Sequence, residues 1–385
     1  MKKIIISLFF FCMLCFPLLP GSTSCAQKNL TVSPKTTIKT GYRKSVSWNK
    51  YTKHYFVLRT YLERIEKKGG GVLTLKKGTY KLSNTLYVPS NVTIKFKDGV
   101  KIVKLNKCGK GELKPAETIF HVVDSKIGRT NKKAYGYNGA KNVKFIGEGN
   151  VTIDLKYIKE GKAILTAHCQ DVEISGIRFL HMNVGHFLEI DATKNLTVRN
   201  CTFSGVSKNT PYTKEAINLD TPDPLTGGLG ISWSSLDRTP NQDVLIENCR
   251  FTNLKRGIGT HKYSQRKVNG QWAENCYHEN ITIRNNTFTD IKNTGIFMLN
   301  WKNVTCADNS FVKNALCVNF RGVQQPFVFS HNTFTNSTVT QTFTGDKKNL
   351  YYMGYKSPGK GGEYSPIYND MGVTTLYELL ALNNA

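Results

Sequence analysis

An internal repeat constrains the fold of this chain more than any other feature of the sequence. Its copies share an alternating strand, a polar turn and a closing Phe, and they are DVEISGIRF (171–179), NLTVRNCTF (195–203), DVLIENCRF (243–251), NITIRNNTF (280–288), NVTCADNSF (303–311) and PFVFSHNTF (326–334). Where no insertion intervenes, the Phe positions recur every 23 or 24 residues, a period typical of solenoids. One coil of short strands cannot bury its apolar side alone, whereas stacked coils bury a continuous column. The repeat therefore predicts one elongated domain.

The predicted fold class is all-β, a single right-handed parallel β-helix (solenoid) with an N-terminal capping helix. The recurrent Phe, Ile and Val would fill the column, and the recurrent Asn and Thr would turn its corners. Tyr55, Leu58, Leu62 and Ile65 share one helical stripe, which predicts a helix over the open end of the column. The domain boundaries predicted from these patterns are an N-terminal extension at 27–53, the β-helix with its cap at 54–344, and a C-terminal cap or tail at 345–385.

The N-terminus is typical of an exported protein. Met1-Lys2-Lys3 precedes an apolar stretch that ends near Leu19, and small residues follow up to Ala26. This order predicts a signal peptide at 1–26 and a secreted or extracellular protein. An alternative is a lipoprotein site, with a lipid anchor on Cys25. No later stretch is apolar enough to predict a transmembrane segment.

The charge balance predicts an acidic partner. The formal net charge is +26, and a surface this basic concentrates polyanions through many weak contacts. A uronate polysaccharide, a sulfated glycan, a teichoic acid and nucleic acid all fit that description, as does a basic surface without any cognate anion. No recognised nucleic-acid-binding module is present, so we expect an acidic polysaccharide partner, no nucleic acid, and a monomer.

The cysteines that follow the signal do not predict a metal site. They form an odd set without CxxC spacing, which argues against zinc. Cys201 and Cys249 occupy the same place in the repeat, so they either stack as small apolar fillers or form a disulfide.

Two insertions interrupt the period on neighbouring coils. One covers roughly residues 205–242 and the other roughly 262–277, and both are polar and rich in aromatic residues. Adjacent insertions on a rigid solenoid usually build a binding face.

The chain resembles a known family over residues 69–335. The segment GGGVLTLKKGTYKLSNTLYVPSNVTIKFKDGVKI is similar to the opening of pectate-lyase-like β-helix enzymes, which include polygalacturonases and several polysaccharide lyases. GHFLEIDATKNLTVRNCTF, KEAINLD, RGIGTHK and YHENITIRNNTF look closer to bacterial uronan (alginate-type) lyases. Polygalacturonases carry adjacent Asp residues, Gly-His-Gly and Arg-Ile-Lys, whereas this chain lacks the pair and has Gly259-Thr260-His261. The resemblance implies a secreted polysaccharide lyase rather than a polygalacturonase.

Aligning the coils places polar residues in two stacked columns. When Leu188, Ile217, Ile258 and Ile296 face inward together, alternation turns their neighbours outward. One outward column then contains Glu189, Asn218 and Gly259, and the other contains Asp191, Asp220 and His261. A solvated wall also alternates in this way, but three carboxylates, an Asn and a His exceed what solubility requires. The catalytic candidates are Lys214, His261, Glu215, Asp220, Asp191 and His186. The substrate-binding candidates are Glu189, Asn218, Arg256, Lys262, His278, Asn300 and Arg321.

Three functions are compatible with this pattern. A uronate lyase would neutralise the substrate carboxylate and remove the C5 proton with Lys214 or His261. Glu215 and Asp220 would orient those bases. Alternatively, they would bind calcium together with Glu189, whereas the first arrangement needs no cofactor. A glycoside hydrolase would instead use Asp191 and Asp220, one rung apart, as its carboxylate pair. A non-catalytic glycan-binding surface protein would use the same wall without chemistry.

Overall fold

The computed structural model describes residues 28–39, 41–130, 132–260, 263–340 and 367–385. Within these ranges, 23 strands form one parallel sheet that winds around three faces. The predicted fold class, an all-β right-handed parallel β-helix, is confirmed. The predicted signal peptide, the lipidation site at Cys25, the tail from 345 to 366, His261 and Lys262 lie outside the described residues.

Each coil contributes one strand to each of the three faces. The first face contains β1 (Lys28–Val32), β2 (Gly71–Leu75), β5 (Val92–Phe96), β8 (Lys141–Gly147), β15 (Gln242–Glu247), β19 (His278–Arg284), β21 (Trp301–Ala307) and β24 (Gln324–Ser330). The second contains β3 (Gly78–Leu82), β6 (Val100–Lys104), β9 (Thr152–Asp154), β11 (Arg178–Met182), β13 (Thr202–Val206), β22 (Ser310–Val312) and β25 (Thr333–Thr335). The third contains β4 (Leu86–Val88), β7 (Thr118–Val122), β14 (Glu215–Asp220) and β23 (Val318–Arg321).

Four longer strands bend around a corner and serve two faces. From the third face to the first run β10 (Lys162–Ser175) and β12 (Leu188–Arg199). From the second to the third run β16 (Arg250–Gly259) and β20 (Thr287–Leu299). A separate antiparallel hairpin joins β17 (Gln265–Val268) to β18 (Gln271–Asn275). The hairpin falls inside the second predicted insertion, whereas the first insertion contributes β14 to the third face.

Among the described residues, helices are few and lie mainly near the first and last coils. The chain has a 3-10 helix at Gly41–Lys44 and the α-helices α1 (Lys53–Glu66), α2 (Ser125–Gly128) and α3 (Leu376–Asn384). α1 packs on β1 to β4 and buries the predicted stripe of Tyr55, Leu58, Leu62 and Ile65. The predicted capping helix is therefore confirmed. No described helix is long and apolar enough to span a membrane.

The repeat builds two ladders inside the column. Phe179, Phe203, Phe251, Phe288 and Phe311 stack in sequence, with ring centroids 4.7–5.0 Å apart. A second ladder runs through buried asparagine side chains, whose amides donate to the next side chain and to the backbone; its members are Asn286, Asn309, Asn332 and Asn383. Asn383 belongs to α3. The C-terminal helix thus provides the hydrogen-bond acceptor for Asn332 at the end of the asparagine ladder.

The Asn and Asp residues that open the repeats have a conformational role. Asn195, Asp243, Asn280 and Asn303 have φ between 53° and 59°, a left-handed region that Asn and Asp tolerate better than other non-glycine residues. Each of them lies within its strand, where the first face begins.

The seven cysteines that the structure describes are all free and buried. Cys201 and Cys249 stack on neighbouring coils as core fillers, and this settles the alternative of a disulfide between them.

Candidate functional site

The third face has the register that the sequence alignment predicts. Leu188 pairs with Ile217, Ile217 with Ile258, and Ile258 with Ile296. All four side chains are buried in the core. Strand alternation therefore turns Glu189, Asn218 and Gly259 to the outer side of the wall, and Asp191 and Asp220 beside them.

This outer side is covered rather than solvated. The loop of residues 221–241 folds back over the wall, and its Ser234 forms a parallel bridge to Ala134. Trp233 of the loop is 2% exposed, packs with Leu165 and Ala167, and donates from Nε1 to His121 Nδ1 at 3.3 Å. The wall was expected to be polar and exposed, and this expectation is corrected. An apolar patch on the wall packs against the insertion, which covers it.

The two insertions are also tied to each other. Asp223 of the first insertion forms an ion pair with Arg238 at 3.2 Å and accepts a hydrogen bond from the hydroxyl of Ser264. Ser264 immediately precedes the hairpin strand β17. The insertions thus form one layer over the third face.

Between this layer and the wall lies a cavity of about 330 Å³, which we call the third-face pocket. Leu229 and Ile231 of the insertion form part of its apolar lining. The ionisable residues that line it are Glu117, Glu160, Lys162, His186, Glu189, Lys214 and Asp220. Four of these, His186, Glu189, Lys214 and Asp220, are site residues predicted from the sequence.

An amide holds two of the pocket's carboxylates at a fixed separation. Asn218 Nδ2 donates to Glu189 Oε1 at 2.7 Å and to Asp220 Oδ2 at 3.2 Å. Since both oxygens accept from one nitrogen, they lie no more than about 6 Å apart. Burial alone would raise the pKa of Glu189, but His186 in its protonated form, the Lys162 ammonium and the Asn218 amide lower it more. Glu189 is therefore ionised at neutral pH.

His186 is a buried imidazole with a defined tautomer. Its Nδ1 lies 2.7 Å from the carbonyl oxygen of Glu215, which can only accept, so Nδ1 carries the proton. Its Nε2 lies 3.7 Å from Glu189 Oε2. Burial lowers the pKa of His186 below the usual value for histidine, although Glu189 and Glu215 oppose that shift. The pocket thus contains a neutral imidazole beside an ionised carboxylate.

Glu215 and Arg256 form a buried ion pair beside the pocket. Arg256 Nη1 donates to Glu215 Oε1 at 2.8 Å, and the guanidinium lies 4.1 Å from the centre of the Phe297 ring. Arg256 is 7% exposed and does not line the pocket. The predicted sugar contact of Arg256 is corrected, since its charge is engaged by Glu215.

Three other predicted residues lie away from the pocket. His278 is 1% exposed and accepts the backbone N–H of Asn241 at Nδ1, 3.0 Å away, and Asn300 is 1% exposed and donates to the carbonyl of Cys276 at 3.0 Å. Both are corrected as sugar-binding residues because their side chains complete buried corners of the column. Arg321 is half-buried at the end of β23, beside Leu299, and does not line the pocket.

Asp191 is also placed differently from the prediction. It pairs in register with Asp220 but is completely buried and absent from the pocket lining. A carboxylate in that position cannot contact a substrate, so the predicted Asp191 and Asp220 pair is corrected.

Three pocket residues were missed by the sequence alignment. Glu117 and Glu160 lie in turns that precede third-face strands, outside the recognisable repeats, and Lys162 opens β10. Lys162 could have been found by extending the coil alignment to the preceding coil. Ile164 pairs with Leu188, and this register places Lys162 one rung before His186.

The described residues do not fit the calcium alternative. No group of three or more His, Cys, Asp or Glu side chains among them could hold a metal ion. Glu215 is bound to Arg256, and the Asn218 amide donates to the other two proposed ligands, Glu189 and Asp220. A cation prefers oxygen ligands to an N–H donor in that position.

Comparison with known proteins identifies relatives in fold. The family model described as the right-handed β-helix region matches residues 120–339, more than half of the chain. No curated protein sequence matches the chain.

Solved structures with the same fold differ widely in sequence. PfbA, a surface adhesin of Streptococcus pneumoniae, is 18% identical over 73% of this chain and 67% of its own, with a TM-score of 0.55. A second PfbA structure is 20% identical over 72% and 73%, with a TM-score of 0.54. An exopolygalacturonase from Thermotoga maritima is 14% identical over 72% and 68%, with a TM-score of 0.47. At these identities, the likeness to PfbA establishes the fold alone.

Proposed function

The chain belongs to the right-handed β-helix family, and on that premise we propose that it is a secreted polysaccharide lyase that cleaves a uronate-containing polysaccharide by β-elimination. The observation that carries the proposal is the neutral His186 in the third-face pocket, flanked by ionised Glu189 and by Lys162 and Lys214.

In this proposal His186 is the general base. With its proton fixed on Nδ1 by the Glu215 carbonyl, His186 presents Nε2 as the nitrogen that accepts a proton. When Nε2 takes the C5 proton of a uronate, the resulting imidazolium is stabilised by Glu189 at 3.7 Å. Burial lowers the pKa of His186, which keeps the imidazole unprotonated and able to accept a proton at neutral pH.

The lysines supply the positive charge that elimination requires. A uronate carboxylate must be neutralised before its C5 proton becomes acidic, and Lys162 and Lys214 are the pocket's amines. We assign Lys162 to the substrate carboxylate and Lys214 to proton donation at the departing O4. The C5–H electron pair then forms the C4–C5 double bond as the C4–O4 bond breaks.

A second candidate function is hydrolysis by the pocket carboxylates. Glu189 and Asp220, bridged by Asn218, lie within about 6 Å of each other, close to the roughly 5–5.5 Å separation of retaining glycosidases. Glycan binding without catalysis is the third candidate.

The test uses the mature chain with polygalacturonate, alginate, chondroitin sulfate and heparin, with and without chelator. A lyase produces the ultraviolet absorbance of an unsaturated uronate on one of these substrates. His186→Gln should then reduce kcat/KM at least ~100-fold, as expected when a general base is lost. The matched control is His181→Asn, which changes a histidine on the second face that contacts Asp154.

The alternatives give different readouts. New reducing ends without ultraviolet absorbance would identify a hydrolase, and Glu189→Gln should then abolish their release. Binding without either product would identify a glycan-binding protein. Unchanged turnover by His186→Gln would contradict the assignment of the base.

A further inference from the structure

A second cavity continues the third face toward the N-terminus. It has a volume of about 460 Å³ and lies among α1, the start of β4, the residues after α2, and the insertion. Ala116 and Ser232 line this cavity, whereas the adjacent Glu117 and Ile231 line the third-face pocket. The two cavities therefore lie beside each other along the third face.

Two arginines give this second cavity positive charge. Arg59 Nε lies 2.9 Å from Glu63 Oε1, and Arg129 pairs with the same carboxylate. Since a single carboxylate serves two guanidinium groups, the cluster keeps a net positive charge. Arg129 is exposed on the loop after α2, where its remaining N–H groups can reach a ligand.

Two tyrosines form the aromatic part of the cavity. Tyr55 accepts a hydrogen bond from Arg59 Nη1 at 3.0 Å, and Arg129 lies 5.4 Å from the centre of the Tyr87 ring. α2 presses closely on Tyr87, since a Cβ on Gly128 would come within 2.4 Å of the ring. Fixed aromatic and guanidinium groups bind without the entropic cost of ordering them.

We propose that this cavity, which we call the Arg–Tyr cavity, is a remote subsite for an acidic sugar of the polysaccharide chain that the third-face pocket cleaves. The identity of that chain rests on the proposed function. An Arg fork matches a carboxylate or sulfate, and the tyrosines add a partly apolar wall beside the guanidinium groups. The strands that bear the two cavities are stacked about 4.8 Å apart per rung, so an oligosaccharide of several sugars bridges them.

The proposal is tested by the dependence of affinity on ligand length. Disaccharides and hexasaccharides prepared from polygalacturonate, alginate and chondroitin sulfate are titrated by calorimetry into the mature chain and its variants. Arg129→Gln should weaken hexasaccharide binding about tenfold, the effect of losing one charge-assisted hydrogen bond. Arg129→Glu should weaken it further. Disaccharide affinity should stay unchanged in both variants.

The matched control is Arg64→Gln. Arg64 belongs to α1 and lies 5.4 Å from the centre of the Tyr61 ring, but it does not line the cavity. Equal hexasaccharide affinity for Arg129→Gln and Arg64→Gln would overturn the proposal, as would no binding of any hexasaccharide to the parent chain. Thermal unfolding midpoints of all variants check that the fold is intact.

The outcome is separable from that of the proposed function. Binding is measured without turnover, so Arg129-dependent binding without β-elimination would support the subsite and contradict the lyase. Normal β-elimination with length-independent binding would do the reverse.

Discussion

His186 and His278 show how differently burial acts on one residue type. Both side chains are at most 2% exposed. His278 accepts an N–H from Asn241 and has no carboxylate among the causes of its pKa shift, so burial lowers its pKa to about 3. His186 lies beside Glu189 and Glu215, which oppose the effect of burial. His278 is therefore fixed as a neutral structural residue, whereas the two carboxylates beside His186 favour its protonated form.

The buried His278 should make folding stability depend on pH. Above about pH 6.5 it is neutral in both the folded and the unfolded chain. Below that value the unfolded chain binds a proton that the folded chain rejects down to a pKa of about 3. Its contribution to stability is thus complete above pH 6.5 and is lost as the pH falls, at up to about 1.4 kcal/mol per pH unit.

Urea unfolding of the parent and of His278→Gln between neutral pH and pH 5 measures this contribution. We expect a flatter pH dependence of the unfolding free energy in His278→Gln. His331→Asn, a change at an exposed histidine, should keep the parent's slope. Equal slopes for all three proteins would contradict the assignment.

The site residues also show what the sequence could predict. Alternation and register correctly turned Glu189, Asn218 and Asp220 outward, because these depend only on the local repeat. Burial of Asp191, and the pairing of Arg256 with Glu215, depend on side chains and loops that no period describes. Sequence patterns therefore identified the wall but not which of its residues a substrate can reach.

Among the elements, the phenylalanine ladder is the most regular contributor to the core. Phe288 stacks between Phe251 and Phe311, with ring centroids 4.7 and 4.9 Å away. Phe334 lies at the end of the ladder, 5.5 Å from Phe311, and is half-buried. Position within the ladder should therefore decide the energetic contribution of each ring.

We expect Phe288→Ala to lower the unfolding free energy by about 3–5 kcal/mol, the usual cost of emptying a buried aromatic site. Phe334→Ala should cost less than half of that, because its ring lies at the end of the ladder and is partly exposed. Chemical denaturation followed by circular dichroism compares the two variants. Equal losses would indicate that the ladder does not transmit packing between coils.

The insertions were predictable in position but not in structure. The gaps in the period located them correctly, and both lie over the third face. The sequence could not show that Trp233 packs the first insertion onto Leu165 and Ala167. Those contacts are made between distant coils and have no counterpart in the repeat.

At the scale of the whole molecule, the net charge of the chain and the charge of the third-face pocket have opposite signs. The chain carries a formal net charge of +26, whereas the third-face pocket has four carboxylates against two lysines. If the partner is the acidic polymer proposed above, its long-range attraction would come from the surface outside the pocket. The covered pocket provides short-range contacts that solvent ions screen less.

This division predicts how salt should affect the proposed reaction. Raising the ionic strength from about 0.05 to about 0.5 M shortens the screening length from roughly 14 to roughly 4 Å, which weakens the many surface contacts together. We expect KM for the acidic polymer to rise about tenfold or more while kcat changes little, because the proton transfer occurs at His186 beneath the insertion layer. Steady-state kinetics at both ionic strengths measure the two constants, and a hexasaccharide, which makes fewer surface contacts, should show a smaller rise in KM. A fall in kcat with unchanged KM would instead place the salt-sensitive charges at the reacting groups.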